Sequence, residues 1–261
     1  MAPAAGNDKD QEILYGLHAV REALKAGNRP LQRLLVLRTD KQFTDLVQLA
    51  RSRRVPIHVQ ALTSFDRLVP NGKHQGVVAF TSAKAYQTEE SILARAAERH
   101  EAPLLVVLDG VEDPHNLGAV LRTAEGAGAH GVFIPERRAA GLTSVVAKAS
   151  AGAIDHIPVA RVTNMSRLIE SLKAAGIWIY GVTPSAEKIY TDVDLREPVG
   201  LVLGGEGVGI RPGVLQHCDE CVRIPLRGQV QSLNVSAAAA IVLFEAIRQR
   251  RPAQGADSTG S

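Results

Sequence analysis

The 261-residue sequence predicts an α/β protein of two domains: a small N-terminal α/β domain, then a larger α/β domain built on a parallel sheet. Three observations carry that prediction. From Pro103 onward the chain repeats strand, glycine-bearing loop, helix. Before residue 85 the alternating units are shorter. Between the two, residues 86–102 are polar and rich in Glu and Ala, and the charge balance changes sign across them. Residues 1–85 hold 13 Lys/Arg against 7 Asp/Glu, whereas residues 86–261 hold 17 against 20. A polyanionic partner met by the first third is consistent with that asymmetry, although a solvated surface produces the same excess.

Composition sets the outer bounds. Apolar residues make up 45% and charged residues 22%, so a sizeable core is available, but at 4% aromatic it must be built from Ala, Val, Leu and Ile. No apolar run is long enough to span a bilayer, and the first ten residues lack a signal-peptide core. With only two cysteines, the chain reads as a cytoplasmic protein of a reducing compartment. Residues 1–10 and 252–261 read as a disordered lead and tail. The boundaries expected are therefore 11–85, a partly helical linker 86–102, and 103–251.

In the first domain, His18 to Ala26 reads as a helix stopped at Gly27. Leu34 to Leu37, Ile57 to Gln60 and Gly76 to Phe80 read as strands. Phe43, Leu46, Val47 and Ala50 have helical spacing, and a short helix is expected near Phe65. In the second, Leu104 to Leu108 is a continuous apolar run, the mark of a strand buried on both faces. Helices follow at Asn116 to Ala127, Ser144 to Ala151, from Asn164 to Gly176, and Val235 to Arg250. Strands are expected at Val132 to Ile134, near His156 to Val159, and at Ile177 to Val182, Leu201 to Leu203 and Val222 to Ile224. Ligands of parallel sheets sit beyond the carboxyl ends of the strands, so the loops there matter most.

Three such loops are unusual. The first, Asp109 to Ala124, offers Asn116 as a helix cap and Arg122 two turns further on, a guanidinium fork for an oxyanion. In the second, Leu203 to Ile210, four glycines permit close backbone approach to a ligand. Its spacing is neither the dinucleotide fingerprint nor a phosphate-cradling P-loop. The third, Ile224-Pro225 through Ser232-Leu233-Asn234, gathers polar groups where the last helix begins. Taken singly, capped helices explain the first and third equally well. Cys218 and Cys221 form a lone C-x-x-C pair, too few ligands for zinc, and read as structural. No metal spacing is seen among the histidines. Arg51, Arg53, Arg54 and Lys73 are the candidates for phosphate contact with a polyanionic partner, with an exposed helix end as the alternative.

Together and in this order, Asn116-Leu117-Gly118 with Arg122-Thr123, Gly204-Gly205-Glu206-Gly207-x-Gly209, and Ile224-Pro225 with Ser232 to Ser236 resemble the three motifs of the SpoU family. These are RNA ribose methyltransferases of the SPOUT class, whose catalytic domain is a trefoil-knotted α/β fold. Tyr15 to Leu24 and His74 to Ala79 are similar to the L30e-like RNA-binding domain that precedes the knot. The resemblance covers about residues 13–250. It implies S-adenosylmethionine as cofactor, held at Gly204, Gly205, Ile224, Pro225 and Leu233. It implies Arg122 as the central catalytic residue, either accepting the 2′-hydroxyl proton or stabilising developing alkoxide charge. Asn116, Glu206, Ser232 and Asn234 would position Arg122, the ribose or the partner loop. It further implies a homodimer in which the arginine of one chain serves the other's cofactor. The resemblance is strongest to members that act on a guanosine in the peptidyl-transferase P loop of 23S rRNA. A tRNA ribose methyltransferase and a non-catalytic RNA-binding assembly factor are the alternatives.

Overall fold

The computed structural model describes residues 11–39, 41–70 and 72–251; the expected lead and tail lie outside the described residues. The N-terminal unit is a four-stranded sheet of β1 (Gln11–Tyr15), β2 (Leu31–Val36), β3 (Ile57–Val59) and β4 (Val77–Ser82), in the order β1-β4-β2-β3. β4 runs antiparallel to both neighbours, and β2 pairs β3 in parallel. Strand alternation divides its side chains between two layers. Leu34, Val36, Val77 and Ala79 face α1 (Leu17–Ala26) and α2 (Thr44–Ser52). Leu35, Val78 and Phe80 face Phe65 of α3 (Leu62–Leu68). Gly27 ends α1 in the left-handed conformation, the stop read from sequence.

The second sheet has seven parallel strands in the order β7-β6-β5-β10-β8-β11-β9. They are β5 (Leu104–Asp109), β6 (Gly131–Pro135), β7 (Val159–Val162), β8 (Trp178–Val182), β9 (Lys188–Ile189), β10 (Val199–Gly204) and β11 (Glu220–Arg223). β5 lies third from one edge, and all of its residues are buried, as its unbroken apolar run requires. Leu104, Val106 and Leu108 face α5 (Pro114–Gly126), α6 (Ser144–Ala149) and α9 (Val235–Arg250). Leu105 and Val107 face α4 (Glu89–Glu98), α7 (Met165–Ala174) and α8 (Pro212–Leu215).

Several expectations change. The strand placed near His156 to Val159 begins at Val159 instead, because Ala153–Asp155 form a 3₁₀ turn and the His156 ring bonds Glu22 at 3.0 Å. β1 and the two-residue β9 were not foreseen; β1 buries only Leu14 and so shows little alternation. Asp113, not Asn116, caps α5, accepting the His115 amide at 3.0 Å, with Pro114 as first helical residue. The helix expected within the partly helical linker 86–102 is present as α4, but it is packed on the large sheet: Ile92 is fully buried in that sheet's core, and Gln87 pairs with Ala160 at its edge.

The two units are fastened through a buried ion pair. Arg29 donates to Asp155 at 2.8 Å, with side chains 4% and 0% exposed. Truncating one partner of such a pair leaves the other charge buried. Asp155→Ala is expected to cost about 3–5 kcal/mol, read from urea denaturation. Arg29→Met with Asp155→Leu should recover most of that loss. Among the described residues no helix is long and apolar enough to cross a membrane.

Candidate active site

Because every strand of the large sheet points the same way, the loops after β5, β10 and β11 meet at one edge. Their meeting is enforced by backbone. The Gly205 amide donates to the Asp109 carbonyl at 2.8 Å, and the Gly209 amide returns to the Gly205 carbonyl at 3.1 Å. Gly207 and Gly209 have positive φ, 83° and 69°, which make the turn possible. Buried Asp109 anchors the rim beneath: its carboxylate accepts the Arg211 amide at 2.8 Å and Nε at 2.9 Å.

One polar residue from each loop joins a single triangle. Asn116 Nδ2 donates to Glu206 Oε1 at 2.6 Å. Asn234 Nδ2 donates to the same oxygen at 2.9 Å and to Asn116 Oδ1 at 3.0 Å. The other face of Asn234 caps α9, its Oδ1 accepting the Ser236 amide at 2.9 Å and hydroxyl at 2.6 Å. Asn234 is therefore both the cap and a member of the cluster, and the two readings of that motif are compatible.

Beside the triangle lies a cavity of about 500 Å³. Of the residues the family resemblance assigns to the cofactor, Gly204, Gly205, Ile224 and Leu233 line it, together with Ser232, which the resemblance gave a positioning role. Pro225, assigned to the same pocket by the resemblance, does not; it is an exposed residue of the same loop. Val182, Thr183 and Pro184, from the end of β8, complete the wall. Sequence reasoning missed them, although a Pro two residues past an apolar strand of a parallel sheet was the available signal. Asp109 and Arg211 were missed too, since nothing in the spacing ties residues so far apart.

Arg122 is not in this wall. It stands six residues beyond Asn116, which at about 100° per residue turns it well away from the triangle. Its side chain is exposed on the outer face of α5. The four RNA candidates likewise do not form one patch. The Arg53 guanidinium packs over Gly27 and donates to the Lys25 carbonyl at 2.9 Å, at the C-terminal end of α1. Lys73 lies near Gly16, at the other end of that helix, roughly 15 Å away at 1.5 Å per residue. Arg51 and Arg54 are exposed beside Arg53. Cys218 and Cys221 are half-buried free thiols, and burial pushes the Cys218 thiol up to about 12, so neither is poised as a thiolate. Among the described residues no cluster of His, Cys, Asp or Glu is arranged to hold a metal ion.

The SpoU rRNA methylase family profile matches residues 103–244, the whole of the large sheet, and the RNA 2′-O ribose methyltransferase substrate-binding profile matches residues 13–87. The chain belongs to the SpoU family. Among its relatives, the 23S rRNA (guanosine-2′-O-)-methyltransferase RlmB of Coxiella burnetii is 41% identical over 239 residues, covering 91% of this chain and 95% of that one. A Synechocystis protein described as an uncharacterized tRNA/rRNA methyltransferase is 42% identical over 254 residues, and the chain spans 66% of its length. The crystal structure of the SpoU methyltransferase AviRb from Streptomyces viridochromogenes, in complex with AdoMet, superposes with a TM-score of 0.78 at 27% identity, covering 94% of both chains. The α/β architecture with its parallel sheet is thus that of SpoU methyltransferases.

Proposed function

We propose that the protein transfers a methyl group from S-adenosylmethionine to a ribose 2′-hydroxyl of 23S rRNA, most specifically a guanosine of the peptidyl-transferase P loop, in the cytoplasm. The observation that carries this reading is the union of Asn116, Glu206 and Asn234 beside a glycine-walled cavity lined by both polar and apolar groups. The cavity suits the cofactor: Ile224 and Leu233 offer an apolar slot for adenine, and the loop at Gly204 and Gly205 presents backbone groups close by. When bound, the cofactor supplies an electrophilic methyl carbon, and the new O–CH₃ bond forms as the C–S bond breaks. The chain's residues must then align the 2′-oxygen and stabilise the negative charge that develops on it as its proton passes to solvent.

Glu206 fixes the two amides through one carboxylate oxygen, holding the three loops in register. Arg122 supplies cationic stabilisation to the developing alkoxide; a guanidinium remains protonated under ordinary conditions. Since Arg122 points away from its own chain's cavity, a homodimer that brings it to the partner's cofactor belongs to this reading, as does the knot implied by the family. Surface chemistry supports the dimer. Along α9, Ala237, Ala240, Ile241 and Phe244 repeat at helical spacing, and Phe244 is 52% exposed. A solvated helix face would carry charges there. Phe244→Glu is expected to convert the dimer to monomers in sedimentation and to abolish transfer, with far-ultraviolet circular dichroism unchanged.

The substrate is tested by nucleoside mass spectrometry after incubation with 23S rRNA and with tRNA, each lacking ribose methylation. The expected product is 2′-O-methylguanosine from 23S rRNA alone. Product from tRNA alone would overturn the substrate assignment, and no product from either would overturn the reaction.

A further inference from the structure

A second cavity lies between the two units, away from the triangle. It has a volume of about 420 Å³ and is bordered by Lys84 beyond β4, by Arg95, Glu98 and Arg99 on and after α4, and by Asp155 and His156 before β7. It sits by the N-terminal end of β7, the opposite edge of the sheet from the cofactor cavity. We propose that this junction is a phosphate-binding site, in which Lys84, Arg95 and Arg99 grip an oxyanion and so anchor an RNA backbone phosphate across both domains. The RNA assignment rests on the function proposed above; the oxyanion chemistry does not.

The cations there are loosely paired. The Lys84 side chain is 9% exposed, yet its ammonium lies 3.9 Å from Asp155 Oδ1, beyond hydrogen-bond reach. The other oxygen of Asp155 already serves Arg29 at 2.8 Å. Oδ1 itself is buried without a hydrogen-bond partner. Burial, with Arg29 and Arg95 close by, holds the Lys84 ammonium below the ordinary lysine range despite Asp155. Arg95 donates through one nitrogen to the His156 carbonyl at 3.0 Å, which leaves the rest of its fork free for a ligand. Burial and the neighbouring Arg99 lower its proton affinity as well, opposed by Glu125 and Glu98. His156 is bonded to Glu22, and Glu98 is exposed on the rim.

A structural ion-pair network would match these cations with carboxylates. Here Arg29 and Lys84 share the one buried carboxylate of Asp155, while Arg95 and Arg99 have only the exposed Glu98 and Glu125 near them, so cations outnumber carboxylates at the junction, the electrostatic condition for recruiting an anion. The two units each contribute a cation, Lys84 from the N-terminal side and Arg95 from the helix packed on the large sheet. A phosphate bound here would touch both, fixing the RNA relative to the distant cofactor cavity.

The test uses the full chain, with Arg95→Gln/Arg99→Gln as one variant and Lys84→Met as the other. Thermal unfolding of the wild type is measured in inorganic phosphate and in chloride at equal ionic strength. Binding to a transcript of the 23S rRNA peptidyl-transferase region is measured across a salt series. The expected result is a phosphate-specific rise in Tm that both variants lose. RNA binding should weaken about tenfold, and the log–log salt slope should fall by about one per lost phosphate contact, with AdoMet affinity unchanged. A wild type stabilised by phosphate, but variants with the wild-type salt slope, would mean a free-phosphate site and overturn the RNA anchor. No phosphate effect on the wild type would overturn the site altogether. Neither arm depends on methyl transfer, so failure of the proposed reaction would be seen separately.

Discussion

Arg122→Ala is expected to lower methyl transfer on the order of 10²–10³-fold while leaving AdoMet affinity at the wild-type value. The split follows from geometry. Arg122 is on the exposed face of α5, outside the wall of its own cavity. Its removal therefore strips charge stabilisation without disturbing the cofactor slot. Arg122→Lys separates positive charge from bidentate geometry in that stabilisation. A lysine keeps a positive charge but not the fork, so substantial retained activity would favour simple charge stabilisation, and a loss as deep as alanine would demand the bidentate geometry. Mixed dimers carry the idea further. A chain with Arg122→Ala combined with a chain carrying Asn234→Ala should recover activity that neither homodimer has, because one of the two sites is then complete. Absence of recovery would argue that each chain uses its own arginine.

Gly205→Ala is the second large effect. A Cβ at this position would fall inside the van der Waals radius of the Gly110 carbonyl oxygen. Neither side has room to yield. Gly204 is paired with Asp109 across β10 and β5, and the Gly205 amide is itself bonded to the Asp109 carbonyl. Overpacking against rigid backbone costs about 1–3 kcal/mol and displaces the loop. Glu206 is the next residue, so the triangle would lose its central carboxylate at the same time. Loss of AdoMet binding by calorimetry, with a modest fall in denaturation midpoint, is the expected pattern. Gly213→Ala is the control: a Cβ there meets nothing within 4 Å, and its variant should bind AdoMet normally.

Much of this was legible in the sequence for physical reasons. The apolar run Leu104 to Leu108 had to be a two-faced strand, and the glycines after Leu203 had to allow a tight turn near a ligand. Those two facts point to the edge of the sheet where the Asn116–Glu206–Asn234 triangle and its cavity lie. What the sequence does not reveal is relative direction and long-range pairing. Spacing put Arg122 near Asn116 along the helix, but six residues of rotation send it to another face. Arg53 and Lys73 share a domain and a charge, yet α1 separates them. Asp109 and Arg211 are joined only by the fold, as are Lys84 and Asp155. Residues 86–102 read as a partly helical linker because their composition is polar, and it is the burial of Ile92, the Gln87–Ala160 bridge and the Arg95 bond to the His156 carbonyl that tie the segment to the large sheet.

The most direct measurement is transfer of a labelled methyl group from S-adenosylmethionine to a 23S rRNA fragment containing the P-loop guanosine, beside the same fragment with 2′-deoxyguanosine at that one position. The account predicts label on that ribose in the first fragment and none in the second. Equal labelling of both fragments, or label recovered on a base, would contradict it.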